Sequence, residues 1–168
     1  IFEAEQVVLA AGAWSPSVAR GLHINIPIQP ARGYSLTASA IQHMPRHAII
    51  LGDRRVAVSP LGDLVRVTGR LEVGNYSMEP DPRWIARLEN FAREYLRLDE
   101  KLDIKETWAG LRPVTPDGVP IIGRSPLHSN LTVATGHAML GLSLGPGTGQ
   151  MVAELVNEKE TAFDIRSM

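Results

Sequence analysis

The N-terminal part of the chain has the pattern of a buried strand that leads into a helix through a glycine. An unbroken apolar run from Val7 to Ala11 is typical of a strand buried on both faces in a parallel sheet. The run ends at Gly12. Ser15 and Pro16 follow, and they are the preferred residue types of a helix N-cap and of a first helical position. We therefore expect a strand, a glycine turn and a short helix with Ser15 as its N-cap.

The middle of the chain has the pattern of an antiparallel sheet with one covering helix. Residues 26–37 are expected to be extended, with Gly33 as a turn or a point of close backbone approach, and three short β-rich runs follow between turn signals. From Asp81 to Leu98, apolar residues recur at helical spacing, which predicts an amphipathic helix packed on the sheet. The β-rich runs are residues 48–51, 56–59 and 64–68, and the main inward helix positions are Trp84, Leu88, Phe91 and Tyr95.

The last third of the chain has two more extended segments and ends in a second helix. Residues 106–112 are expected to be extended, and a loop rich in proline and glycine follows up to Pro120. Residues 130–135 predict a further strand, and a helix is expected from Gly145 to Val156. The inward positions of this helix are Met151, Val152, Leu155 and Val156. The chain as a whole therefore predicts an α+β fold.

Composition excludes several classes of function. The 168 residues include 17 basic and 18 acidic side chains, for a net charge of -1, so nothing in the balance calls for nucleic acid or an anionic membrane as partner. The absence of cysteine excludes disulfides and thiol chemistry and fits a cytoplasmic protein. No apolar run approaches the roughly 18 residues of a transmembrane segment. Because the chain begins at Ile1 and enters a strand almost at once, we expect it to be a fragment of a longer protein.

Three segments of the chain contain residues suited to ligand binding. The first two are a glycine turn and a lone arginine. Gly12 follows a predicted strand in an Ala-Ala-Gly-Ala-Trp-Ser sequence, and such strand ends are either ligand sites or plain tight turns. Arg112 lies between Leu111 and a loop stiffened by prolines. Its guanidinium fork matches a carboxylate, so it either binds an acidic ligand or pairs with a structural acid such as Asp117 or Asp53.

The third segment runs from Thr135 to Gly149 and has five glycines in fifteen residues. Free N–H groups and the positive end of a helix dipole at such a place favour negative charge, either a phosphate or the charge that develops on a reduced cofactor ring. The spacing is neither that of a dinucleotide fingerprint nor that of a phosphate-binding loop. His137, within this segment, is either a proton shuttle or a hydrogen-bonded residue at a strand end.

In combination, these segments resemble the D-amino-acid oxidase superfamily of FAD-dependent oxidoreductases, and within it the bacterial D-amino-acid dehydrogenases. The likeness covers nearly the whole chain, with the order and spacing of its motifs preserved. The stretches that carry it are VVLAAGAWSP (Val7 to Pro16), PARGYSLT (Pro30 to Thr37), GLRPVTPDGVPIIG (Gly110 to Gly123) and ATGHAMLGLSLGPGTG (Ala134 to Gly149).

The resemblance implies a role for each motif. Arg112 would clamp the substrate carboxylate, and Tyr34 would substitute for a tyrosine that the eukaryotic oxidases carry on the sheet. No side chain would act as acid or base and no metal would be needed, because the α-hydrogen leaves as hydride to the flavin. Backbone N–H groups would stabilise negative charge at the O2/N1 edge of the flavin. The residues implied to contact FAD are Gly12, Ala13, Trp14, Gly136, His137, Met139, Leu140, Gly141, Leu142 and Ser143.

The resemblance also implies the domain organisation and the reaction. Residues 1–26 and 108–168 would form part of an α/β FAD-binding domain, and residues 27–107 a substrate-binding domain. The longer protein would oxidise D-amino acids to 2-oxo acids and pass electrons to a quinone or the respiratory chain, in the cytoplasm or at the inner face of the membrane.

Two alternatives remain open: an amine oxidase of the glycine or sarcosine type, or a chain that by itself is an inert structural or binding domain. The family's Gly-x-Gly-x-x-Gly fingerprint is absent from the sequence. We therefore expect the chain alone to be inactive and not to retain FAD.

Overall fold

The structure, a computed structural model, describes residues 3–98 and 100–164. The residues in these ranges form eight strands and three helices, and a single 3-10 turn at Gly12–Trp14. The strands are β1 (Val7–Leu9), β2 (Gln29–Ser39), β3 (Ile49–Leu51), β4 (Val56–Leu61), β5 (Leu64–Val73), β6 (Ile104–Val114), β7 (Ile121–Arg124) and β8 (Leu131–Thr135). The helices are α1 (Ser15–Arg20), α2 (Pro82–Leu96) and α3 (Gly141–Val156).

The chain divides into two units, one formed by residues 1–31 and 112–168 and the other by residues 32–111. The sequence placed the corresponding boundaries after residues 26 and 107. The assignment of the first unit to the cofactor and of the second to the substrate stays a prediction.

The first unit is built on a three-stranded sheet with the order β1-β8-β7. β1 pairs with β8 in parallel and β7 pairs with β8 antiparallel. All five residues of β8 are buried, and α3 packs against β7 and β8. The core of this unit contains Leu9, Ala19, Ile26, Ile28, Leu131 and Val133.

Strand β1 and helix α1 differ from the prediction in two respects. Val7 and Val8 are exposed, and only Leu9 is buried, because β1 is an edge strand whose one partner among the described residues is β8. Ser15 is the first residue of α1, and Trp14 stands at the N-cap without a side-chain capping bond. The hydroxyl of Ser15 is instead directed to Thr135.

Helix α3 begins at Gly141, four residues before the predicted start, and includes Pro146. Glycine and proline disfavour a helix by local propensity, but packing on β7 and β8 outweighs that preference. Of the predicted inward positions, Met151 is buried and the others are half-buried. Strand β7 was not predicted. It has only four residues, and Pro120 and Gly123, which disfavour a strand, lie next to it and within it.

The second unit contains most of a five-stranded sheet with the order β3-β4-β5-β2-β6. β3, β4 and β5 pair antiparallel as a meander, with Leu61 opposite Leu64 at the β4–β5 turn. Gly33 lies inside β2, so no turn interrupts that strand. The α+β class, with a mostly antiparallel sheet and a covering helix, is confirmed.

Helix α2 covers this sheet as its periodicity predicts. Asp81 is its N-cap and accepts a hydrogen bond from the backbone N–H of Arg83. Leu88 and Val56 approach Gly69 so closely that a Cβ there would lie 2.9 Å from each of them. Tyr95, predicted to point inward, is exposed, and its hydroxyl donates to Asp53.

One carboxylate, that of Glu72, joins β2, β5 and α2. Its Oε2 accepts from the Tyr34 hydroxyl at 2.5 Å and from Arg32 at 3.0 Å, and its Oε1 accepts from the indole N–H of Trp84 at 3.1 Å. The hydrogen bond from Tyr34 is the main cause that lowers the pKa of Glu72. Burial, followed by the bond to Glu72, raises the pKa of Tyr34 to about 12. Three donors thus depend on one charged acceptor.

We predict that Glu72→Gln lowers the free energy of unfolding by about 2–3 kcal/mol at pH 7, because bonds to a charged acceptor are worth more than neutral ones. The folded pKa of Glu72 lies below its ordinary value of 4.5. Its contribution is therefore complete above pH 4.5 and is lost as the pH falls through the folded value. Urea unfolding at several pH values measures the difference between the two proteins.

The matched control is Glu106→Gln, which removes a more exposed carboxylate 3.5 Å from Arg66. An exposed ion pair contributes only about 0–1 kcal/mol, so this variant should unfold almost like the wild type. Equal losses in the two variants would show that Glu72 is an ordinary surface charge.

Candidate functional site

Two glycine turns lie at one edge of the β1-β8-β7 sheet. Because β1 and β8 are parallel, their carboxyl ends meet at the same edge, which is where ligands bind in open α/β sheets. Gly12 follows β1 with a φ of 54°, and Gly136 follows β8 with a φ of 84°. Both values lie in the left-handed region, which glycine adopts without steric cost. Both turns therefore have a left-handed backbone conformation that is unfavourable for residues with a side chain.

Two buried hydroxyls connect these turns. Ser15 Oγ lies 2.9 Å from Thr135 Oγ1, and the Thr135 hydroxyl donates to the carbonyl of Gly12 at 3.2 Å. Since Thr135 has one hydroxyl proton, Ser15 must be the donor of the bond between the two side chains. The structure therefore brings the first and third predicted segments together.

The segment that carries Arg112 lies beside the second turn. The backbone N–H of Ala138 donates to the carbonyl of Pro113 at 3.0 Å. A Cβ at Gly136 would lie 2.7 Å from Cγ2 of Thr115, so only glycine fits there. All three predicted segments thus meet within the first unit.

Arg112 is a half-buried cation without an acidic partner among the described residues. Its Nη1 is buried and has no hydrogen-bond partner, and burial is the cause that lowers its pKa. Of the two acids predicted as structural partners, Asp117 accepts from the backbone N–H of Val119, and Asp53 accepts from Tyr95. A desolvated guanidinium with an unused donor is suited to binding an anion.

The N-terminus of α3 offers further donors. Its N-cap, Leu140, makes no side-chain capping bond. The first hydrogen bond of the helix runs from the N–H of Leu144 to the carbonyl of Leu140 at 2.9 Å. The N–H groups of residues 141–143 therefore lack partners within the helix and lie at the positive end of its dipole. Leu142 is 96% exposed and Met139 is 73% exposed, so the surface around these donors is apolar and open.

His137 links the second turn to α3. Its Nε2 lies 2.9 Å from the hydroxyl of Thr148, and burial lowers its pKa. A neutral histidine held in this way matches the hydrogen-bonded interpretation of the sequence. It fixes the turn against the helix.

Tyr34 belongs to the second unit and is fully buried. Its hydroxyl donates to Glu72, so a substrate carboxylate would have to replace that acceptor. We therefore leave Tyr34 out of the proposed substrate site.

The sequence did not indicate the roles that four hydroxyl residues have in this region. Three of them form hydrogen bonds at the turns, whereas Thr115 packs its Cγ2 atom against Gly136 and its hydroxyl has no partner. The one local signal is that each stands in or next to a glycine or proline segment. These residues are Ser15, Thr115, Thr135 and Thr148.

The first unit fits the flavin-ring end of FAD. A Cβ at Gly145, Gly147 or Gly149 would meet no atom within 4 Å, which leaves the surface of α3 open to a flat ring. The uncapped donors of α3 suit the electron-rich edge of such a ring, and the exposed Met139 and Leu140 suit its apolar part. The chain has no phosphate-binding fingerprint for the other end of the cofactor.

Neither a metal centre nor a membrane span is visible in the described part of the chain. Residues 3–98 and 100–164 contain no group of three or more potential ligands that could hold a metal ion. None of the helices in these ranges combines the length and apolar character needed to cross a bilayer.

Comparison with known proteins assigns this fold to a family of flavin-dependent oxidoreductases. Residues 1–155 match the model of the DAO family, described as FAD dependent oxidoreductase. The chain belongs to this family, and the resemblance found in the sequence is confirmed.

Individual relatives agree with this assignment. A D-amino acid dehydrogenase of Paramagnetospirillum magneticum is 40% identical over 164 residues, which is 96% of this chain and 39% of the relative. An uncharacterized oxidoreductase of Halorhodospira halophila is 37% identical, with 98% of this chain and 76% of the relative covered. The crystal structure of glycine oxidase from Geobacillus kaustophilus superposes with a TM-score of 0.88 at 27% identity, over 98% of this chain and 45% of that one. The chain thus spans less than half of the first and third of these proteins.

We predict that Gly136→Ala destabilises the first unit by about 2–4 kcal/mol, because overpacking against Thr115 adds to the strain of a left-handed residue. Thr115→Ser removes the Cγ2 atom that the new methyl group would meet. The double variant should therefore recover the overpacking part of the loss. Thermal and urea unfolding of the four proteins of this cycle measure the coupling.

The matched control is Gly12→Ala, which has the same left-handed backbone but no atom within 4 Å of the added Cβ. It should cost only about 1–2 kcal/mol and should not respond to Thr115→Ser. If Thr115→Ser fails to rescue Gly136→Ala, close packing between the two segments is not what requires the glycine.

Proposed function

We propose that the complete protein carrying this chain is an FAD-dependent dehydrogenase that oxidises D-amino acids to 2-oxo acids. The observation that carries the proposal is the half-buried guanidinium of Arg112, which has an unused donor, in a segment whose Pro113 carbonyl accepts a bond from Ala138 just before α3. The family assignment and the 40% identical D-amino acid dehydrogenase support the redox chemistry and the substrate class.

In this proposal each segment has one task. Arg112 binds the substrate carboxylate bidentately and so orients the Cα–H bond. The N–H groups of residues 141–143 stabilise negative charge, and the turns at Gly12 and Gly136 let the backbone approach the ring closely. FAD, when bound, would supply the hydride acceptor for the Cα–H bond of a substrate whose amine has lost its proton to solvent. The product would be an iminium, which water hydrolyses to the 2-oxo acid and ammonium, so no acid or base side chain is required.

The second candidate is an amine oxidase of the glycine type. The structural likeness to glycine oxidase, with a TM-score of 0.88, favours it. The electron acceptor separates the two candidates: a dehydrogenase reduces a quinone or a dye in the absence of oxygen, whereas an oxidase consumes oxygen and forms peroxide. The proposed acceptor is a quinone of the respiratory chain. A cytoplasmic location, or one at the inner membrane face, stays a prediction.

We predict that the 168-residue chain expressed alone purifies without flavin and without activity. The phosphate-binding turn normally supplies much of the affinity for a dinucleotide, and the sequence has none. The visible absorbance of the purified chain after incubation with FAD and gel filtration measures retention. Stoichiometric yellow protein at micromolar concentration would contradict the prediction.

We predict that Arg112→Lys in the complete protein raises KM for D-amino acids about 10- to 150-fold, because the bidentate bond to a charged group is lost. Flavin content and melting temperature should stay nearly unchanged, since no described acid depends on Arg112. Steady-state kinetics and thermal unfolding measure the two effects.

Arg124 is the matched control, because it lies in the same unit but has structural partners. Its guanidinium donates to the carbonyls of Leu155 and Ser129 and lies 3.6 Å from Glu158. Arg124→Lys should lower the melting temperature and leave KM unchanged. The opposite pattern, in which Arg112→Lys melts early with a normal KM, would make Arg112 a structural residue.

A further inference from the structure

Ser15 makes an unusual hydrogen bond for the first residue of a helix. A serine at an N-cap turns its hydroxyl to the free N–H groups of the first turn, but the N-cap of α1 is Trp14. Here the side chain is fully buried, and its hydroxyl crosses to Thr135, 120 positions along the chain. The hydroxyl of Ser15 therefore makes a long-range contact and not a cap.

The contact continues into the backbone of the glycine turn. With Ser15 donating to Thr135, the Thr135 hydroxyl is free to donate to the carbonyl of Gly12. The two bonds form a relay from α1 through the end of β8 to the turn that follows β1. Because both hydroxyls are buried, water cannot replace either bond without cost.

The relay lies between the two turns that contain the left-handed residues Gly12 and Gly136. Thr135 immediately precedes Gly136, and Ser15 immediately follows the turn of residues 12–14. A change in either bond would alter the spacing between the two turns while leaving the ladder of β1 and β8 intact.

We propose that Ser15 and Thr135 are positioning residues for the flavin: their hydroxyls fix the spacing of the Gly12 and Gly136 turns and thereby set the affinity for the ring. This inference rests on the function proposed above. Neither side chain needs to touch the cofactor, because both act through the turns that they hold.

The test replaces one β8 hydroxyl at a time by a methyl group of the same shape. Thr135→Val removes the relay. Thr132→Val is the matched control, because Thr132 lies on the same strand, is also buried, and its hydroxyl has no partner. In the complete protein, we expect Thr135→Val to weaken FAD binding about 10-fold, since two buried partners lose their bonds. Thr132→Val should bind FAD as the wild type does.

Dissociation constants are measured with apoprotein by flavin fluorescence, at a temperature well below the melting point of each variant. Thr135→Ser keeps the hydroxyl and should restore the affinity. If Thr135→Val does not fold, Ser15→Ala gives the same test, because it deletes one bond of the relay and should weaken FAD binding severalfold.

Each outcome has a distinct meaning. If Thr135→Val loses melting temperature but binds FAD normally once folded, the relay is only structural and the inference is overturned. Equal weakening by Thr132→Val would also overturn it. If the wild-type complete protein itself binds no FAD, the proposed function fails and the inference fails with it.

Discussion

Because β1 and β8 run in the same direction, both strands end at one edge of their sheet, and this constraint creates the site. Parallel strands cannot be joined by a short turn, so their ends come from distant parts of the chain. Here they bring residues 12–15 next to residues 135–137. The arginine segment then packs against Gly136 through Thr115. Without the parallel pairing, the three segments would have no common location.

Local patterns predicted the parts of the fold that depend on local physics. The periodicity of α2 and the alternation of the meander reflect one buried face each, so the sequence was sufficient for both. The start of α3 could not be predicted, because it depends on packing that outweighs the low helix propensity of glycine and proline. The apolar run of β1 likewise gave no sign that Val7 and Val8 would be exposed at an edge.

The site was predictable where a residue type itself indicates chemistry. Arg112 is a charged residue between apolar and proline-rich segments, which indicated a role in binding an acidic ligand. Its unused hydrogen-bond donor is consistent with that role. The role of Tyr34 could not be assigned in this way, since its acceptor, Glu72, lies 38 positions further along the chain. The relay of Ser15 and Thr135 is equally long-range, and hydrogen bonds of this kind leave no periodic signal in a sequence.

The composition of α3 makes it a helix with two halves of unequal local stability. Relative to alanine, the glycines at 145 and 147 and the proline at 146 disfavour its first half by about 5 kcal/mol. Pro146 also removes the N–H that would bond to the Leu142 carbonyl. The second half, around the buried Met151, contains only Gly149 as a residue of low helix propensity. Amide hydrogens in the first half should therefore exchange with solvent through local opening, well before those of the second half. A ligand that bound to the first half would slow that exchange. The exchange rate of these amides would therefore report whether the ligand site is occupied.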